Sequence, residues 1–163
     1  MVIVYASKTG FTKKYADMLA EKAKLKAVPV SELSKVDPKE EVIFLGWMKV
    51  GKVQGLSKMK RHNVIAVCGS GTGRTAEPDE ATVIARNKIE QTPFFYMRGG
   101  CKPLNSLKGF DGIMMKMFVN MLKKQKDQDE RKIEAISIIE NGYDGVKEEN
   151  LKPILEWLNK SQS

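Results

Sequence analysis

Histidine occurs once and cysteine twice in 163 residues, and that scarcity closes off much catalytic chemistry at the outset. With His62 alone, neither a Ser-His-Asp nor a Cys-His arrangement can be assembled. His62 has no second metal ligand at a recognisable spacing and reads as a surface residue beside Arg61. Cys68 and Cys101 form no Cys-x-x-Cys pair, so reduced free thiols in a cytoplasmic setting are the expectation. No apolar run reaches membrane-spanning length. The chain opens into an apolar segment with no basic leader or cleavage site, so secretion is not expected. Internal repeats, low-complexity tracts and an obvious linker are all missing. So are the Gly-x-x-x-x-Gly-Lys-Ser/Thr and Gly-x-Gly-x-x-Gly phosphate motifs after the first strand.

What is there describes one globular domain. Hydrophobic residues make up 42% and charged residues 29% of the chain, and the length suffices to bury a core without staples. Residues 1–19 organise it. Met1, Val2, Ile3, Val4 and Tyr5 form a β-branched and aromatic run that predicts a buried strand. A hydroxyl-rich turn follows, and then an amphipathic helix with Tyr15, Ala16, Leu19 and Ala23 on one face. Such a turn aims backbone N–H groups and hydroxyls at one point before a helix N-terminus, where the dipole favours an anion. Gly10 allows close approach of the backbone to that anion. The same stretch also reads as a plain strand-turn-helix whose Ser and Thr only cap the helix.

The pattern Ile3-Val4-Tyr5-x-Ser7-x-Thr9-Gly10-x-Thr12, with Ala16 and Leu19 following at helical spacing, closely resembles the FMN-phosphate signature of flavodoxins. The resemblance implies an α/β flavodoxin-like three-layer sandwich around a five-stranded parallel sheet in the order 2-1-3-4-5. Its ligand crevice would lie at the carboxyl ends of strands 1 and 3, where the winding reverses. It also implies that Ser7, Lys8, Thr9, Gly10, Phe11 and Thr12 hold the monophosphate of FMN without a metal.

The remaining strands are predicted at 27–30, 41–46, 63–68 and 92–97, alternating with helical or irregular stretches that include a helix at 79–91. Pro29 suggests a sheet edge, and strand-helix alternation means a parallel sheet covered on both faces. Three loops, 7–12, 46–53 and 68–75, converge at the predicted crevice. Beyond residue 98 the chain exceeds the minimal plan: an insertion over about 99–140 holds helices at 110–126 and 130–140, and a last helix at 147–158 closes one side of the sheet.

A flavin needs flat apolar walls and hydrogen bonds to its ring edge as well as a phosphate site. Trp47, at the end of the third predicted strand, could stack on the ring or only seal the sheet end. Met48, Lys49, Val50 and Gly51 complete that loop. Gly51 would let a peptide turn as the flavin takes a proton, and Lys49 would stabilise an anionic reduced flavin or remain a solvated charge. Cys68, Gly69, Ser70, Gly71 and Thr72 match the third flavodoxin loop, whose amides would bond the pyrimidine edge; the glycines could instead simply make a turn. Cys68 and Cys101 would end adjacent parallel strands and could approach each other, or be two semi-buried thiols.

The 110–126 helix, with Phe110, Ile113, Met114, Met117, Phe118, Met121 and Leu122 on one broad apolar face, could pack on the core, form a dimer contact, or rest on a membrane near a quinone pool. Packing at the rim of the flavin site is the expectation, with Met as an adaptable wall for a flat hydrophobic substrate. The insertion and its Phe-Asp-Gly-Ile-Met-Met-Lys-Met run are similar to those of quinone-dependent, flavodoxin-like protoporphyrinogen dehydrogenases. The loop after the third strand departs from that family's.

Net charge is +8, against the acidity usual in electron-carrying flavodoxins, and it is concentrated. Residues 49–62 hold Lys49, Lys52, Lys58, Lys60 and Arg61 with no acid, and residues 98–126 hold seven basic residues against Asp111 alone. Such a patch meets something anionic. The leading expectation is an FMN-dependent redox protein, an electron carrier or oxidoreductase, acting with an acidic electron-transfer protein or an anionic small molecule. A flavin-free basic binding module is the alternative. Nucleic acid is not expected, because no basic and aromatic residues interleave as on single-strand-binding sheets.

Overall fold

The computed structural model describes residues 1–161. Its centre is a parallel sheet of β1 (Val2–Ala6), β2 (Ala27–Pro29), β3 (Glu41–Lys49), β5 (Asn63–Gly71) and β6 (Phe94–Arg98), in the spatial order β2-β1-β3-β5-β6. This is the predicted winding, with Pro29 on the edge strand, where its missing N–H costs no ladder bond. A short β4 (Lys52–Val53) adds to β3 in antiparallel sense.

Alternation along the strands divides the core into two layers. Ile3, Ile43, Leu45, Cys68 and Met97 face α1 (Phe11–Ala23) and α5 (Lys152–Ser161), which bury Tyr15, Leu19, Ile154 and Leu158 against them. Val2, Val4, Val42, Phe44 and Val67 face the other way, against Val36, Met59 and Ile89 and the partly buried Ile84 of α2 (Glu80–Asn87). α1 buries Thr12, Tyr15, Ala16 and Leu19, one stripe of its surface. α5 begins beside Pro153, which is tolerated in a first turn.

Several boundaries differ from expectation, those of the strands for a reason of tertiary pairing. β3 runs three residues beyond the predicted end because Met48 and Lys49 pair with Val53 and Lys52. The predicted 46–53 loop is therefore a two-residue hairpin turn, Val50–Gly51, with φ of 50° and 71°. β5 extends to Gly71 because β6 pairs with it as far as Gly71↔Arg98. The 79–91 helix shortens to α2, ending at Lys88 in a left-handed cap.

After β6 the chain forms β7 (Gly100–Cys101), α3 (Gly109–Lys124), α4 (Glu130–Asn141) and β8 (Tyr143–Asp144); β7 and β8 pair antiparallel, so the excursion leaves and returns through one small ribbon. α3 and α4 meet through Val119 and Ile136, with Leu104 beneath. The apolar face of α3 does not cover the sheet: Phe110, Ile113, Met114, Met117, Phe118 and Met121 are exposed, and of the seven residues predicted to form it only Leu122 packs inward. Cys101 lies in the ribbon and Cys68 inside β5, so the two thiols occupy different sheets; both are free. Among the described residues no helix is long and apolar enough to cross a membrane.

Candidate functional site

The turn between β1 and α1 has the geometry that an anion cradle needs. Gly10 adopts φ 97°, a left-handed conformation that glycine takes without steric cost, and its N–H donates to Ser7 Oγ at 3.1 Å. No side chain caps α1 and no acidic residue sits in its first turn, which leaves the positive end of the helix to a ligand. A Cβ at Gly10 would meet nothing within 4 Å, so the space before the loop is open. Thr12 is buried at its base. The hydroxyls, amides and open space suit a phosphate monoester, and Ser7 to Thr12 are the residues that would hold it.

Lys8 is committed to a partner the sequence did not suggest. Its Nζ lies 2.6 Å from Asp111 Oδ2 at the start of α3, and 5.6 Å from the Trp47 ring centroid. The Lys8 ammonium holds the Asp111 carboxyl below its ordinary range, first by hydrogen bonding and then by charge, with a smaller contribution from Lys49. The insertion is thereby tied to the cradle. Phe11 turns toward the insertion's root: a Cβ on Gly100 would come within 2.7 Å of its ring.

Beside the sheet's carboxyl edge lies a cleft of about 440 Å³ between the β3-β4 hairpin and the loop that follows β5. Met48, Val50 and Gly51 line one wall, Gly71, Thr72 and Gly73 the other, with Tyr96 and Arg86 beneath. Its volume suits a small organic ligand. The hairpin is braced from α2, where Asn87 donates to Gly51 O at 2.9 Å and accepts from the Val53 N–H at 2.9 Å, while Arg86 donates to Val50 O at 3.0 Å. Val50 is 80% exposed at the hairpin tip. Its positive φ is an outlier for a β-branched residue, the kind of local strain found at ligand-contacting loops.

Of the predicted ring contacts, the fold gathers Met48, Val50, Gly51, Gly71 and Thr72 around this cleft. Trp47 points to the opposite face of β3, toward Lys8, because neighbouring strand residues alternate. Lys49 joins the Lys8–Asp111 side. Cys68 and Gly69 are strand residues within the sheet. The Cys68 thiol is enclosed in the core, where burial pushes its pKa up to about 12. Ser70 is buried under Gly99, where a Cβ would lie 2.3 Å from its Oγ. His62 is half-buried rather than on the open surface, and its Nδ1 has no hydrogen-bond partner among the described residues.

Several residues to which the sequence assigns no site role fix the loops. Arg98 donates from Nε to Thr72 O at 3.2 Å and from Nη2 to Glu134 at 3.0 Å, and stacks 4.5 Å from the Tyr143 ring centroid. Tyr96 donates to Gly73 O at 2.7 Å, and burial raises its phenol pKa. Tyr15 donates to Arg98 O and accepts from Asn150 Nδ2 at 2.6 Å. Every one of these is a long-range contact, and no local signal marks it. Among the described residues, no cluster of His, Cys, Asp and Glu could hold a metal ion.

A doubly wound parallel sheet, a glycine-bearing turn open before the first helix and a cleft between the next two loops define a protein of the flavodoxin type. A family model described as a flavodoxin domain matches residues 2–129, and the chain belongs to that family. No curated protein matches it. Membership makes it, coarsely, a flavodoxin-type redox protein of a family that typically binds flavin.

Proposed function

We propose that the protein binds FMN and uses it to exchange electrons with an anionic partner, either an acidic electron-transfer protein or a small carboxylate-bearing molecule. The observation that carries this reading is the cradle itself: Gly10 at φ 97°, uncapped α1 and open space before the loop. Ser7, Lys8, Thr9, Gly10, Phe11 and Thr12 would hold the phosphate, and Met48, Val50, Gly51, Gly71 and Thr72 would flank the ring. The bound flavin would supply the electron or hydride chemistry. This chain's part is to bind it, to shield one edge with the hairpin, and to offer the donor or acceptor a basic rim. Exposed Lys49, Lys52, Lys58, Lys60 and Arg61 on and beyond the hairpin would steer an acidic partner to the cleft.

The tie between Lys8 and Asp111 favours a second, narrower reading, since it joins the insertion to the cofactor loop. An insertion so placed supports an oxidoreductase of the quinone-dependent protoporphyrinogen dehydrogenase kind, acting on a flat hydrophobic acid.

The deciding experiment is the visible spectrum of the purified protein before and after adding FMN and then dithionite, alongside Gly10→Val. The wild-type chain is expected to turn yellow, to release FMN on denaturation and to bleach on reduction. The variant forces a β-branched residue into a left-handed conformation at the cradle, and is expected to fold but to bind FMN at least about tenfold more weakly. A colourless wild-type chain that does not quench flavin fluorescence would overturn the redox reading and leave a basic binding module.

A further inference from the structure

α3 has two apolar faces, and the protein buries only one of them. Gly112, Met115, Val119 and Leu122 turn toward Leu104, Leu107, Ile136 and Ile139. Phe110, Ile113, Met114, Met117, Phe118 and Met121 turn outward, with Phe110 73%, Met117 62% and Ile113 59% exposed. Their spacing of three and four residues makes one stripe about 16 Å long at the helical rise. Ile133 of α4 is also exposed. A continuous apolar stripe of this kind marks an interaction surface.

Its surroundings are basic. Lys108, Lys116, Lys124 and Lys126 are exposed on α3 and its flanks, and none forms an ion pair among the described residues. Of the nearby acids, Asp111 is neutralised by Lys8, Glu134 by Arg98 and Arg74, and Glu140 by Lys123; Asp127, Asp129 and Glu130 follow α3 at its far end, so residues 108–126 themselves carry five lysines against Asp111. An outward row of Phe, Ile and Met bordered by lysines is the construction of a helix that lies in a bilayer interface, with aromatic and thioether groups in the acyl boundary and ammonium groups reaching the lipid phosphates.

We propose that this face of α3 docks the protein on an anionic lipid bilayer. A second copy of the chain is the poorer occupant: a twofold contact would set both sets of the same lysines around one seam, on molecules already carrying +8 each. A fluid anionic surface neutralises those lysines and needs no matching groove. Docking would also bring the cradle near the bilayer, since the stripe begins one residue before Asp111, the partner of Lys8. The proposal uses no residue of the flavin cleft and is independent of the redox reading.

Sedimentation of the full chain with vesicles of equal parts phosphatidylglycerol and phosphatidylcholine, against pure phosphatidylcholine, tests it. Binding is expected to the mixed vesicles only, and to weaken with added salt. The double variant Met117→Ser, Phe118→Ser should lower partitioning at least about tenfold. Lys116→Glu with Lys124→Glu should lower it as well. All four positions are exposed, so circular dichroism and thermal unfolding are expected to match the parent. Absence of binding to mixed vesicles overturns the proposal. If the parent then dimerises in sedimentation velocity and the apolar variant does not, the occupant is a second copy. Unchanged binding of the apolar variant also overturns it, because adsorption by charge alone would not involve the stripe.

Discussion

Four consecutive residues of β3, Val42, Ile43, Phe44 and Leu45, have no exposed surface, each pressed against one layer of helices or the other, whereas the sixteen residues of α3 bury only Gly112 and Val119. The body of the domain is held by apolar burial at about 1.5–3 kcal/mol per large side chain. The insertion rests on a cluster of three buried residues and on ion pairs to the body: Lys8 with Asp111, Arg98 and Arg74 with Glu134, and Lys14 with Asp144 at its root. Exposed pairs of this sort contribute about 0–1 kcal/mol each. The two parts should therefore come apart under different stresses, with the sheet surviving changes that release α3 and α4.

The largest effect is expected in the sheet. Phe44 fills the space beside three small residues: a Cβ on Gly46 or Gly55 would lie 3.0 and 3.2 Å from its ring, and Gly55 also packs on Ala6. Phe44→Ala leaves a cavity under the hairpin and should cost about 3–5 kcal/mol in global stability by urea unfolding. A loss below about 1 kcal/mol would mean that the body is not held as tightly as its burial implies. Val119→Ala sharpens the comparison from the other side. It removes two methyl groups from the small cluster between α3 and α4 and should cost about 1–2 kcal/mol. That loss should appear as faster amide exchange over residues 109–141, with the exchange of β1, β3 and β5 unchanged. Equal acceleration in the sheet would show one cooperative unit and break the division.

The same division explains what could be read from the sequence. The strands of the body are legible because β-branched and aromatic runs such as residues 2–5 and 42–45 are buried on both faces, and the turn before α1 because Gly10 and the hydroxyl residues around it mark it locally. The ends of β3 and β5 are not, since they are set by pairing with Val53 and Arg98 from elsewhere in the chain. Trp47 and Met48 are adjacent in sequence and look alike as ring contacts, whereas strand alternation sends only Met48 to the cleft. For α3, periodicity showed that an apolar face exists and could not show that a second face, through Val119, does the packing. The bracing by Asn87, Arg98 and Tyr96 joins residues 23–36 positions apart, beyond the reach of any local pattern.

Acid gives the smallest and most selective test. Hydrogen bonds from Arg98 to Glu134, from Lys8 to Asp111 and from Lys14 to Asp144 hold all three carboxyl groups below their ordinary pKa values of 4.5, 3.8 and 3.8. A carboxylate whose pKa is lowered by folding stabilises the folded state above its ordinary pKa, and that contribution disappears as pH falls through the folded value. The ties of the insertion should therefore be intact at neutral pH and weaken from about pH 4.5 downward. In the body the carboxyl held low in the same way is Asp79, through hydrogen bonds from Thr82 at the N-cap of α2, so acid should loosen the first turn of α2 and leave the apolar layers of the sheet in place. Amide exchange, corrected for its intrinsic pH dependence, should show α3 and α4 losing protection before β1, β3 and β5 as the pH is lowered. High salt at neutral pH should move the insertion in the same direction, because these pairs are at least partly exposed and screened. Loss of protection in both parts at a single pH would mean that the sheet depends on the insertion's charges after all, and that the ribbon of β7 and β8 transmits their release to β6.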